Sequence, residues 1–334
     1  MKTFANENSL PSLPLPDLHH SCELYLKSVE ALLIDRADGE MSSKNVEVYV
    51  NTKQIVDHFL ENEGKILDTT FKSENMENRN WLENLWDYLY LSIRDPTALY
   101  VNFGGPKKHF PMVTNVKDVQ EWNASIILVT VLEYWRLLRS DEHFEVDKTT
   151  KNEMLSMHQY RYVFNSCRIP GKKIDSYVNA FGTVQEAPNC PSHCIIFCNK
   201  RIFKIDIDGL LCKDVCKLLI KVRKMAVSKE GQGLAAMTYE KRDTWSEFRE
   251  WLIHQSDKNA KNLDLIEKAI CCLTLDETKP KDPAEMIWRA LYGDPANRWA
   301  DKTNSYVLFA DGSFNSCCEH TKVDGLIHVN LCNL

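Results

Sequence analysis

The sequence predicts an α/β protein with a helical amino-terminal region and a mixed β-sheet packed with helices after it. Three observations carry this. Apolar residues recur at helical spacing through the first 138 residues. Two later stretches alternate as hairpin strands around turn residues. Neither Gly nor Pro exceeds 12 residues in 334, which excludes a repetitive or low-complexity chain.

Taken in order, Leu10-Pro11-Ser12-Leu13-Pro14-Leu15-Pro16 is expected to run extended, because each proline fixes φ and removes a backbone donor. Cys22, Leu26, Val29 and Leu33 then mark one face of a helix, with Asp17 or Ser21 as its cap. A polar connection covers 34–45, a second helix 46–60, and a third begins near Arg79 with Trp81, Leu82, Leu85, Trp86, Leu89 and Tyr90 on its face. Arg94-Asp95-Pro96 and Gly104-Gly105-Pro106 break the pattern before an apolar helix over 119–138. Residues 194–198 and 202–207 flank Asn199-Lys200-Arg201 as a hairpin. Helices are expected over 213–225, 244–255 and 263–271. Asp311-Gly312 joins strands 306–310 and 313–318, and 325–331 reads as a last strand with His328 on the face opposite Ile327, Val329 and Leu331.

Composition narrows function. Forty-one Lys and Arg against 47 Asp and Glu give a net charge of −6, so no global positive field is available for nucleic acid. The first nine residues carry Asn and Glu where a secretory leader needs an apolar stretch, and no run approaches the ~20 apolar residues of a membrane span, so neither secretion nor membrane insertion is expected. Twelve cysteines in so charged a chain read as free thiols. Cys190, Cys194 and Cys198 recur every four residues, but along a strand they cannot converge on one ion, and Cys212/Cys216 lack a second ligand pair; no metal is expected. Gly231-Gln232-Gly233 lacks the preceding strand and following lysine of a phosphate cradle, and reads as a flexible connection. Among ten histidines, His320 stands apart by following directly on a strand, where a side chain is held firmly at the edge of a cleft.

Asn297-Arg298-Trp299-Ala300-Asp301-Lys302 followed by Glu319-His320 resembles the choline/carnitine acyltransferase family. So do the proline-spaced leader, Asn80-Trp81-Leu82, Gln159-Tyr160 through Ser166-Cys167-Arg168-Ile169-Pro170-Gly171, and Thr238-x-x-x-Arg242-x-x-Trp245. Asn102-Phe103-Gly104-Gly105-Pro106 and Gly293-Asp294-Pro295 look most like its medium-chain, octanoyl-type peroxisomal branch. The resemblance implies a coenzyme-A-dependent acyltransferase-like domain over 10–334, helical over 10–138 and α/β over 139–334, behind a flexible start at 1–9. It implies an enzyme that exchanges a medium-chain acyl group between coenzyme A and carnitine, with His320 as general base and coenzyme A as co-substrate rather than bound cofactor. Asp324, Trp86 and Tyr90 are implied as supports of the substrate pocket. Glu319 is not assigned to orient His320, because neighbours on an extended chain point apart.

The family's second domain, with its coenzyme A and oxyanion groups, has no counterpart in this sequence. The chain is therefore expected to be a half that is inactive alone and self-associates through its exposed interface and the strand 325–331. The alternative is a non-catalytic family member with a binding or regulatory role. The resemblance implies a peroxisome, yet Leu331-Cys332-Asn333-Leu334 is not a Ser-Lys-Leu address, which leaves the cytoplasm as the alternative.

Overall fold

The computed structural model describes residues 2–35, 37–78, 80–105, 113–142 and 144–332. Arg79, Pro106 and the last two residues, each part of an expectation above, lie outside them. The chain divides into two compact units, Pro11–Trp86 and a larger one made of Met1–Leu10 with Asp87–Leu334.

In the smaller unit, Pro11–Pro16 has no regular structure and leads into helix α1 (Leu18–Leu33). The Asp17 carboxylate caps α1 by accepting from the His20 N–H at 2.8 Å, as the sequence suggests. Helix α2 (Ser43–Glu61) starts behind Ser42, whose hydroxyl accepts from the Asn45 N–H. A third helix, α3 (Glu63–Asn78), was not expected. Its residues show no apolar stripe sharp enough to separate it from a polar connection. Helix α4 (Trp81–Leu91) begins in this unit, where the Trp81 indole donates to the Pro14 carbonyl at 3.3 Å.

The larger unit is built on a five-stranded sheet. After a short helix α5 (Thr97–Tyr100), helix α6 (Val119–Ser140) matches the expected apolar helix, burying Ala124, Ile127, Leu128, Val131, Leu132, Trp135 and Leu138. A small hairpin, β1 (Ser166–Ile169) with β2 (Ser176–Asn179), stands apart from the sheet. The sheet strands are β3 (His193–Cys198), β4 (Arg201–Asp206), β5 (Cys272–Leu275), β6 (Asn304–Leu308) and β7 (Phe314–Cys318), in spatial order β4-β3-β5-β6-β7. The β3/β5 and β5/β6 pairs are parallel and the outer two are hairpins, so the sheet is mixed. Between them run α7 (Cys212–Val227), α8 (Arg242–Gln255), α9 (Asp257–Glu267) and α10 (Pro283–Tyr292).

Helices cover both faces of the sheet. Cys194, Ile196 and Cys198 of β3 pack into the core shared with α6 and α7, while Ile195 and Phe197 pack with Trp245 of α8, Leu263 and Ile266 of α9, and Trp299. This alternation is what period-two strand geometry gives when both faces are buried. It also explains why β5, which directly follows the helix expected over 263–271, was not expected at all. Both its faces are buried, so Cys271-Cys272-Leu273-Thr274-Leu275 shows no alternation.

Two glycines have steric reasons. Gly312, with φ +84°, makes the turn of the second hairpin, and a Cβ there would sit 2.7 Å from Asn123 Nδ2 and 2.8 Å from Val119 Cγ2. At Gly231 a Cβ would fall 1.9 Å from the Lys200 carbonyl oxygen, and its N–H donates to Asn199 O at 3.0 Å. The Gly231–Gly233 segment is therefore packed against the β3–β4 turn, not a loose connection.

The expected last strand is a helix, α11 (Gly325–Cys332). Val323, Ile327 and Leu331, four residues apart, are buried in the main core with His328 beside them, whereas Leu326 and Val329 are more than half exposed. A strand would bury Val329 with Ile327 and Leu331. The edge of β7 near this point is moreover taken by Phe103, which exchanges both backbone hydrogen bonds with Cys318. Self-association by strand addition at 325–331 therefore has no structural basis.

Candidate active site

The Arg298–Lys302 segment bolts the larger unit together just before β6. Arg298 donates to Asp276 Oδ2 at 2.6 Å and to carbonyls at the end of α10. Trp299 stacks on Phe197 and meets Trp245 edge-on. Lys302, fully buried, donates to the carbonyls of Glu267 and Ala269 at 2.8 and 2.6 Å, where the end of α9 leaves acceptors unfilled. Asp301 accepts from Arg242 Nη1 at 2.7 Å and from Trp245 Nε1 at 2.8 Å. Arg242 in turn shares Asp175 Oδ2 with Arg168, both at 2.6 Å. Facing guanidiniums hold the Asp175 carboxyl below the ordinary carboxylate range, against the burial that opposes it.

This frame delivers His320. Strand β7 ends at Cys318, and the next two side chains diverge as an extended chain requires. Glu319 is fully buried; the His320 side chain is 22% exposed. The Glu319 carboxylate folds back to accept from the Thr321 N–H at 3.1 Å and from the Thr321 hydroxyl, and faces Arg168 Nη1 at 3.4 Å. Burial pushes its carboxyl above the ordinary range, with Arg168 opposing.

The His320 imidazole has a partner at each nitrogen. Tyr90 Oη lies 2.6 Å from Nδ1, and Asp324 Oδ1 lies 3.2 Å from Nε2. The ring meets Tyr90 and Phe103 edge-on at centroid distances of 5.3 and 4.7 Å. Burial, and then the charges of Asp324 and Glu319, raise the Tyr90 phenol above its ordinary value, so it stays a neutral hydroxyl. Asp324 is held by its own N–H on Gln159 Oε1 at 2.9 Å, and its carboxylate also accepts from the Gly325 N–H opening α11. Of the residues singled out in the sequence, His320, Tyr90 and Asp324 come together. Trp86, half-buried on α4, is the last residue of the smaller unit.

His328, expected on a strand face, is buried behind this cluster. Its ring reaches Ser316 at 2.6 Å and Cys318 Sγ at 3.0 Å, with Phe103 between it and His320. Sequence reasoning missed Arg168 and Glu319 as parts of the site. The signal was available in the position of both within the resemblance motifs, but not their pairing across 151 residues. Among the described residues no group of three or more His, Cys, Asp or Glu could hold a metal ion, and no helix is long and apolar enough to cross a membrane.

A histidine presented from a strand end beside a neutral phenol and a carboxylate, in a sheet covered on both faces by helices, is a frame for moving a proton on and off a reacting group. Comparison with protein families defines the class: the Choline/Carnitine o-acyltransferase model matches residues 13–334, and the chain belongs to that family of transferases. Individual relatives sharpen it. The chain is 35% identical over 342 residues to bovine peroxisomal carnitine O-octanoyltransferase, covering 99% of this chain and 54% of that protein. The human protein of the same name gives 35% over 341 residues, with 99% and 53% covered, and chicken choline O-acetyltransferase gives 30% over 344 residues, with 97% and 51% covered. The chain thus spans about half the length of the curated relatives it matches.

Proposed function

We propose that this chain carries the general base of a carnitine O-acyltransferase that exchanges medium-chain, octanoyl-type acyl groups between coenzyme A and carnitine, and that the base is His320. The bovine and human relatives at 35% identity are named as peroxisomal carnitine O-octanoyltransferases, which supports the substrate class and a peroxisomal setting.

The observation that carries the proposal is the pair of partners on the imidazole, Tyr90 Oη at Nδ1 and Asp324 Oδ1 at Nε2. Both can accept a hydrogen bond, so both N–H groups of a protonated His320 have partners. In the forward direction Nδ1–H donates to Tyr90 Oη, the carnitine hydroxyl takes the place of Asp324 at Nε2, and its oxygen attacks the thioester carbonyl carbon while its proton passes to Nε2. The tetrahedral intermediate then collapses, the carbon–sulfur bond breaks, and the imidazolium returns the proton to the leaving thiolate. The cluster complements the protonated state formed midway, which is where a general base lowers the barrier. Tyr90 remains neutral throughout, and Asp324 offsets the positive charge on the ring.

The test is carnitine-dependent thiol release from acetyl-, octanoyl- and palmitoyl-coenzyme A by a chimera that continues this chain with the carboxyl-terminal part of the bovine octanoyltransferase. The proposal expects the highest kcat/KM with octanoyl-coenzyme A and none without carnitine. Equal turnover with choline in place of carnitine, or a preference for acetyl-coenzyme A, would contradict it.

A further inference from the structure

Arg168 is fully buried, yet its guanidinium reaches both chain segments that carry the interacting rings of the site. Nη2 donates to the Tyr90 carbonyl at 2.8 Å, which also accepts from the Ile93 N–H, and to the Ile93 carbonyl at 3.3 Å, two acceptors at and just past the end of α4. Nη1 faces Glu319 Oε1 and Thr321 Oγ1, each at 3.4 Å, on either side of His320. Nε is fixed on Asp175 Oδ2 at 2.6 Å. Asp175 itself donates its N–H to the Leu91 carbonyl at 3.0 Å, so the same turn of α4 is pinned twice. The Tyr90 to His320 hydrogen bond spans 230 residues of sequence, and Arg168 is the side chain that touches the backbone of one and the flanking carboxylate of the other.

We propose that Arg168 is a positioning residue for His320: one guanidinium locks the end of α4 to the Glu319–Thr321 clasp, and so holds the Tyr90 hydroxyl on Nδ1 of the imidazole. The inference rests on the reading of His320 as the general base. A planar fork with five donors is what this task needs, because the acceptors lie in different directions around one plane. A lysine would keep the charge and lose the simultaneous contacts. Glu319 sets the other end of the lock without pointing at the imidazole. Its carboxylate fixes the backbone just after His320 through the Thr321 N–H, and the histidine ring is the one side chain of the three left facing outward.

The test reads the imidazole directly in the 334-residue chain, labelled with 15N-histidine. Long-range 1H–15N spectra separate the two ring nitrogens, and His320→Gln identifies its pair. In the unaltered chain His320 is expected to show two well-separated nitrogen signals from one tautomer. Tyr90→Phe removes the hydroxyl, and the signals should move toward the average of two exchanging tautomers. Arg168→Lys should reproduce that change, and adding Tyr90→Phe to it should produce no further change, since both act through the same hydrogen bond. The His193 ring, held on the Leu265 carbonyl at 2.7 Å in another part of the fold, serves as the control for intact structure. If Arg168→Lys disturbs His193, Glu319→Gln carries the test, because it keeps the volume and weakens the pair with Arg168. His320 signals unchanged in a folded Arg168→Lys or Glu319→Gln protein would overturn the proposal, as would effects of Arg168→Lys and Tyr90→Phe that simply add. Failure of the general-base reading looks different: a chimera with His320→Ala would keep its turnover while these spectra stayed as expected.

Discussion

Replacing Asp301 by Asn should unfold much of the protein's stability margin although the substitution changes almost no volume. The carboxylate accepts from Arg242 at 2.7 and 3.2 Å, from the Trp245 indole at 2.8 Å and from the Thr97 hydroxyl at 3.3 Å, all inside the fold. An amide there turns one acceptor into a donor that faces other donors, and leaves the buried Arg242 charge with Asp175, already shared with Arg168, as its remaining counter-ion. Breaking a buried pair from one side costs about 3–5 kcal/mol, against a total of about 5–15 kcal/mol for a typical domain. Urea unfolding followed by tryptophan fluorescence and circular dichroism should show a lowered midpoint with an unchanged slope. Asp206→Asn is the comparison. Its pair with Lys204 measures 2.7 Å but lies at the surface, so its loss should cost about 0–1 kcal/mol. If Asp301→Asn cost less than about 1 kcal/mol, the reading of the Arg298–Lys302 segment as a structural bolt would be wrong.

Three further outcomes are expected. Gly312→Ala should lower stability by about 1–3 kcal/mol in thermal melts, because a side chain there is strained at φ +84° and collides with Asn123 and Val119. His328→Ala should cost a similar ~1–3 kcal/mol by leaving the buried Ser316 hydroxyl and Cys318 thiol without the imidazole. Burial pushes the His193 imidazole below its ordinary value near 6.5, so the unfolded chain binds the proton more readily. The His193 contribution to stability is therefore present above that pH and lost as pH falls below it, with a slope of at most about 1.4 kcal/mol per pH unit. Denaturation midpoints of His193→Gln between pH 7.5 and 5 should fall less steeply than those of the unaltered protein.

Elements with strong local signals were legible. The four-residue and three-residue spacing of α1, the long apolar face of α6, and the turns at Asn199-Lys200 and Asp311-Gly312 each state their own structure. Elements defined by burial were not. Strand β5 has no exposed face to alternate with, and α3 has no sharp apolar face. Helix α11 was hidden in a run where Ile327, Val329 and Leu331 imitate a strand, while the four-residue spacing of Val323, Ile327 and Leu331 was the better guide. At the site, resemblance drew attention to His320, Tyr90 and Asp324, but nothing local says that a histidine and a tyrosine 230 residues apart share a hydrogen bond. The rule that neighbouring side chains on an extended chain diverge holds for Glu319 and His320. It left out the carboxylate's return to the Thr321 backbone, which fixes the histidine without pointing at it.

The measurement that bears most directly on the account is carnitine-dependent thiol release from octanoyl-coenzyme A by the chimera with the bovine octanoyltransferase, with and without His320→Ala. A general base that acts on the proton in flight stabilises the transition state more than the bound substrate. The account predicts a fall in kcat of about 10²- to 10⁴-fold with little change in KM for carnitine. Turnover within about threefold of the unaltered chimera would contradict it and remove His320 from the chemistry.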